Sequence, residues 1–218
     1  MIEYLSGLDT QAFTAINAWH VGYVDNFMWI ASSRLAWLLC IVAVAVMMLR
    51  KGWRHGLLAL IAIALVVLVA DQVSSGLIKQ MVERLRPSHN PNLAATIHLV
   101  RGYQGGLYGF VSSHAANSVA SCLLLTLMMR RRGVVLSLLL WTVLQCYSRV
   151  YLGVHYPGDI AGGLLVGSAV AMAVYPLWRW CSVKLCGEVT AFGSRDACLV
   201  VSAVLLSLLV IAVMAIFM

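Results

Sequence analysis

The segment from Cys198 to Met218, "CLVVSAVLLSLLVIAVMAIFM", carries no charged residue and is long enough to cross the hydrocarbon core of a bilayer. Such a run is hard to accommodate in a water-soluble fold, whereas in lipid a helix satisfies its backbone internally. Five more apolar runs bounded by charges extend roughly from Met28 to Leu49, Gly56 to Lys79, Ser113 to Met129, Val134 to Arg149 and Asp159 to Trp178. Composition agrees: 62% of the 218 residues are hydrophobic, only 11% are charged, and the mean hydropathy is +0.91. The expected fold is therefore all-α, a polytopic membrane bundle of six transmembrane helices forming one domain over residues 1–218.

Residues 1–25 contain Glu3, Asp9 and Asp25, no basic start and only short apolar patches, which argues against a cleavable signal. Within them "LDTQAFTAINAW" reads as an amphipathic helix lying in the membrane interface. Cys40, Cys122, Cys146, Cys181, Cys186 and Cys198 fall mostly inside apolar runs, with no paired spacing for a disulfide framework or a zinc site.

The formal net charge of +7 is not gathered on one soluble face, so no nucleic-acid partner is expected. Arg50, Lys51 and Arg54, then Arg130, Arg131 and Arg132, then Arg179, Lys184 and Arg195 occupy three connections that share one side of a six-span chain. Excess Lys and Arg marks the cytoplasmic side. The other connections and both termini then face outward, which in a bacterial inner membrane is the periplasm. Arg34, Lys79, Arg84, Arg86, Arg101 and Arg149 remain in that outer half against the charge bias, and an anionic ligand would explain them.

Three polar groups stand at the outer ends of the spans. In "KQMVERLRP" Lys79 and Arg86 are seven residues apart, a spacing that predicts one helical face ending at Pro87. In "GFVSSHAANS" Ser112 can cap a helix whose first turn holds Ser113 and His114, with free N–H groups that favour an anion. In "SRVYLGVHYPGD" Arg149 closes one span, and Asp159 lies four residues after His155, where its carboxylate can hold one imidazole nitrogen and leave the other free. Each group alone has a plainer reading: snorkelling cations, an ordinary capped helix, a structural His–Asp pair. All three fall at one membrane depth.

Together they fit phosphoryl transfer. Lys79, Arg86, Arg149, Ser112 and the helix N–H groups would neutralise the phosphate oxygens, His155 oriented by Asp159 would attack phosphorus, and His114 would protonate the leaving oxygen. Only Glu83 and Asp159 stand near as carboxylates, fewer than a two-metal phosphatase assembles, so neither a metal nor another cofactor is expected. Around the site, Asp71 is expected to pair with Arg34 or brace Lys79, Glu83 to share a face with Lys79 and Arg86, and Asn117 to be a packing amide.

At these residues the chain resembles the type 2 phosphatidic acid phosphatase superfamily, which includes bacterial lipid phosphatases and vanadium haloperoxidases. The family pattern is a lysine, six residues and Arg-Pro; a Pro-Ser-Gly-His segment; and Ser-Arg, five residues, His, three residues and Asp. Lys79 to Arg86-Pro87 and Ser148-Arg149 to His155 to Asp159 match in full; Val111-Ser112-Ser113-His114 departs at Val111 and Ser113, the latter keeping the backbone N–H that would meet phosphate. The resemblance covers about Asp71 to Gly167. It implies a phosphohistidine at His155 that water resolves, His114 acting first as acid and then as base, and vanadate or phosphate as a ligand of the site. The implied substrate is a lipid phosphate or pyrophosphate reached from the bilayer. Undecaprenyl pyrophosphate is favoured, with lipid A 1- or 4'-phosphate next, then phosphatidylglycerophosphate and phosphatidate. A non-enzymatic lipid or anion transporter is the alternative of another class.

Overall fold

Apolar runs set the helices, and charged or turn-forming residues between them set where the helices stop. In the computed structural model, which describes residues 2–218, α1 spans Ile2–Asn17, α2 Gly22–Ala31, α3 Leu38–Leu49 and α4 Trp53–Asp71. α4 continues through a wider π-type stretch, Gln72–Ile78, into the short α5, Lys79–Val82. After an irregular segment come α6 Ser113–Met129, α7 Arg132–Tyr151, α8 Pro157–Cys186 and α9 Ser194–Ile216. The fold is all-helical, as expected, with no strand among the described residues.

Among the described residues, four helical stretches are long and apolar enough to cross a membrane: Trp53–Val82, α7, α8 and α9. α2 and α3 add a fifth when taken as one span with a 73° bend. α6 has 17 residues, about 26 Å of helix, less than the ~30 Å hydrocarbon core.

The expected continuous helix Met28–Leu49 is therefore corrected. It breaks at Ser32-Ser33-Arg34, where the Ser32 hydroxyl donates to the Trp29 carbonyl at 2.9 Å and competes with the helical ladder. The break leaves the Ala31 carbonyl without a helical partner. The Trp37 indole N–H and the Gln145 amide both donate to it, each at 2.7 Å, so the discontinuity is satisfied inside the protein.

The three basic connections do meet at one end of the bundle. Lys51 pairs with Asp196 at 2.5 Å at the start of α9, and Arg131 at the start of α7 donates twice to the Phe192 carbonyl, at 3.1 and 2.9 Å. At the other end, α1 lies across the end of α7 and the start of α8. Its Phe13 is fully buried against the Tyr156 ring. Asn17 donates to the His98 and Tyr151 carbonyls and accepts from the His98 N–H, at 2.9, 3.0 and 2.8 Å.

α6 and α8 pack on one another more extensively than any other pair. Glycines permit it: a Cβ on Gly167 would overlap the Ala116 carbonyl, and one on Gly163 would sit 2.5 Å from the Ser112 oxygen. Gly167→Val should lower stability in detergent by about 1–3 kcal/mol, read as a fall in melting temperature. Leu165→Ala on the exposed face of the same helix should stay within about 0.5 kcal/mol.

Candidate active site

Pro87 decides how the first group is presented. A residue before proline is driven out of the helical region, and Arg86 is extended at φ −66°, ψ 158°. The helix has already ended, with Glu83 in the left-handed conformation at φ 50°. The expected shared helical face of Lys79, Glu83 and Arg86 is thus corrected: Lys79 projects from α5, and Arg86 reaches the site from an extended strip. That strip is held by the Arg86 N–H to the Leu107 carbonyl at 3.1 Å and the Gly109 N–H to the Arg84 carbonyl at 2.8 Å. In such a strip alternate residues share a side. Arg84 and Arg86 both turn inward.

The second group forms the capped helix start that the sequence predicts. Ser112, fully buried, caps α6, its hydroxyl accepting from the Ala115 N–H at 3.4 Å. Ser113 takes the place where the family has glycine, and its hydroxyl accepts from the Lys79 ammonium at 2.7 Å and shares a hydrogen bond with Ser75 at 2.6 Å. His114 is half-buried in the first turn.

The third group is the most enclosed. His155 and Asp159 are both fully buried, with His155 Nδ1 3.2 Å from Asp159 Oδ2. Asp159, in the first turn of α8, also accepts from the Tyr156 N–H at 3.1 Å, the carboxylate half of a capping arrangement. The backbone carbonyl of Asp159 receives the Ser112 N–H at 2.9 Å, which joins the starts of α6 and α8. The free imidazole nitrogen, Nε2, is 2.9 Å from the Arg86 guanidinium; the same NH1 also donates to the Val154 carbonyl at 3.0 Å. A carboxylate on Nδ1 and a guanidinium on Nε2 select the tautomer with its proton on Nδ1.

The electrostatics follow from this enclosure. Burial first, then the charges of Arg86, Arg149, Lys79 and His114, hold His155 well below its ordinary value, so the ring is neutral near pH 7. Burial and the neighbouring Arg149 bring Arg86 down to about 10, still protonated at neutrality. Arg149 is 3% exposed; it reaches the Tyr103 hydroxyl at 3.4 Å, and its Nε has no partner among the described residues. A buried, unpaired guanidinium N–H beside a neutral imidazole suits an anion. His155, Asp159, Arg86, Arg149, Lys79, Ser112, Ser113 and His114 are all brought to the one end of the bundle.

Two further contributors are Arg84, which the sequence placed only among the outer cations, and Asp9, to which it gave no part in the site. Arg84 contacts Asp159 directly, and Asp9 of α1 contacts Arg84. Gly109 lies so close that a Cβ would sit 2.7 Å from Asp159 Oδ2. Asp71 pairs with Asn117, whose amide donates at 3.3 Å, in place of the expected Arg34 or Lys79. Of the irregular segment, Tyr103 reaches the site, whereas His98 turns to Asp25 at 2.8 Å.

The PAP2 superfamily model matches residues 56–182, more than half of the chain. The lipid A 4'-phosphatase of Bacteroides thetaiotaomicron is 36% identical over 169 residues, 77% of this chain and 75% of that protein. The lipid A 4'-phosphatase of Porphyromonas gingivalis is 30% identical over 202 residues, 90% of this chain and 86% of that one. In fold, the chain is similar to the crystal structure of a transmembrane PAP2-type phosphatidylglycerolphosphate phosphatase from Bacillus subtilis, with a TM-score of 0.60 at 23% identity, covering 80% of this chain and 86% of the other. A polytopic helical bundle, the buried His155–Asp159 pair among cations and these likenesses lead to one conclusion: the chain belongs to the PAP2 superfamily and is a membrane lipid phosphatase.

Proposed function

We propose that this enzyme removes a phosphate from lipid A, at the 4' position, on the periplasmic face of the bacterial inner membrane, through a phosphohistidine on His155. The observation that carries the chemistry is the buried His155 ring, held by Asp159 on one nitrogen and facing the Arg86 guanidinium with the other. Lys79, Arg86 and Arg149, the Ser112 and Ser113 groups and the first N–H groups of α6 receive the phosphate oxygens. Arg86 shifts its N–H from His155 to an incoming oxygen and thereby frees the lone pair on Nε2. The bond from Nε2 to phosphorus forms as the ester bond breaks, and His114, carrying the proton that enters with the monoanionic phosphate ester, gives that proton to the departing oxygen. Water then attacks phosphorus, His114 accepts its proton, and the bond to Nε2 breaks to release phosphate. No metal takes part in either step.

Orientation rests on charge: the three basic connections share the end opposite the site, and positive residues favour the cytoplasm. In this arrangement α6 and the bent pair α2–α3 complete six passages, and α1 lies at the outer interface. The lipid A reading is supported by likeness to enzymes of that name along most of the chain. It displaces undecaprenyl pyrophosphate from first place.

Phosphate release by detergent-solubilised enzyme, with EDTA present, should be highest on lipid A and reduced at least about a thousand-fold in His155→Ala. Mass spectrometry should locate the loss at the 4' position, and vanadate should inhibit. Higher release from undecaprenyl pyrophosphate would overturn the substrate, a requirement for added divalent metal would overturn the mechanism, and unaltered function in His155→Ala would favour a transporter. Separately, histidine NMR of the free enzyme, with His155→Ala for assignment, should show the His155 ring still neutral where an ordinary histidine is half protonated. A midpoint near the ordinary 6.5 would contradict the buried, cation-lined setting.

A further inference from the structure

α1 is fastened to the site through one side chain. Asp9 Oδ1 accepts from the Gly158 N–H at 2.7 Å, and its Oδ2 accepts from Arg84 NH2, also at 2.7 Å. The same guanidinium gives NH1 to Asp159 Oδ1 at 3.0 Å and lies over the Tyr156 ring, 4.1 Å from its centroid. The other oxygen of Asp159 is the one that meets His155 Nδ1 and the Tyr156 N–H. Arg84 thus holds one oxygen of the Asp159 carboxylate while the Tyr156 N–H holds the other, the one that meets the imidazole. It also stands between two carboxylates that would otherwise repel.

We infer that Arg84 is a positioning residue for the reaction, acting through Asp159, and that Asp9 makes the N-terminal helix part of the catalytic support by fixing Arg84. The inference rests on the reading of His155 and Asp159 as the nucleophilic pair. A planar fork suits the task, because one guanidinium donates to two acceptors in fixed directions; an ammonium carries the charge without that geometry. Asn in place of Asp9 can still accept from the Gly158 N–H, so it removes the ion pair and leaves the tie to α8.

The test compares Arg84→Lys, Arg84→Met and Asp9→Asn with the parent enzyme and with His155→Ala, in detergent, on one lipid phosphate. Arg84→Met should lower kcat by about 10- to 100-fold. Arg84→Lys and Asp9→Asn should lower it by about 5-fold. KM and the vanadate inhibition constant should stay within about 2-fold of the parent, since the phosphate-binding groups are untouched. A parental kcat in Arg84→Met overturns the inference, as does a raised KM at unchanged kcat, which would make Arg84 a head-group contact. A parental kcat in Asp9→Asn overturns the part assigned to α1. Should Arg84→Met fail to fold, Arg84→Lys and Asp9→Asn decide alone: lowered kcat at constant KM supports the inference, parental kcat in both overturns it. Retained phosphate release in His155→Ala would overturn the nucleophile reading and this inference together, whereas its loss beside unaffected Arg84 variants would overturn the inference alone.

Discussion

The contact between α6 and α8 is the constraint on which the site depends. Two glycines of α8 let the helices approach until backbone meets backbone, and at that spacing the Ser112 N–H reaches the Asp159 carbonyl. The start of one helix, with its free N–H groups, is thus pinned beside the start of the other, which carries the carboxylate. In a bilayer, helices gain little from burying apolar surface on one another, and close approach through small residues replaces that drive. The geometry of the reaction centre is in this sense a by-product of how the helices are held together.

Much of this was legible in the sequence because its causes are local. Apolar runs become helices wherever lipid surrounds them, Ser112 caps because its side chain is near, and Asp159 meets His155 four residues away across one turn. Misreadings arose where a local rule had a competitor. The seven-residue spacing of Lys79 and Arg86 suggested a helix, yet Pro87 acts on the residue before it, and in an extended strip the informative spacing is the two residues from Arg84 to Arg86. Ser32, Ser33 and Arg34 sit inside the apolar run Met28–Leu49, expected as one helix, whereas the Ala31 carbonyl has distant partners in Trp37 and Gln145 that permit a break. The pairing of Asp9 with Arg84 spans 75 residues, and no period or motif carries that information.

The departures from the family pattern also find a physical setting. Where the pattern has glycine, the Ser113 hydroxyl meets both Lys79 and Ser75, so the cation proposed to face the phosphate is held in place by the protein itself. Val111 is buried near Gly162, and a Cβ there would sit 2.5 Å from it. Small and branched side chains share that junction of α6 and α8 by fitting each other.

The guanidinium of Arg86 resting on His155 Nε2 has a consequence for selectivity in time. A neutral buried imidazole is a good ligand for stray metal ions and a good target for electrophiles, and its lone pair is the feature both need. Here that pair is masked by a group whose preferred partner is an oxyanion. In the proposed mechanism a molecule bringing its own negative oxygens draws the mask aside, so the nitrogen assigned to attack would be exposed by the chemical class of compound it reacts with.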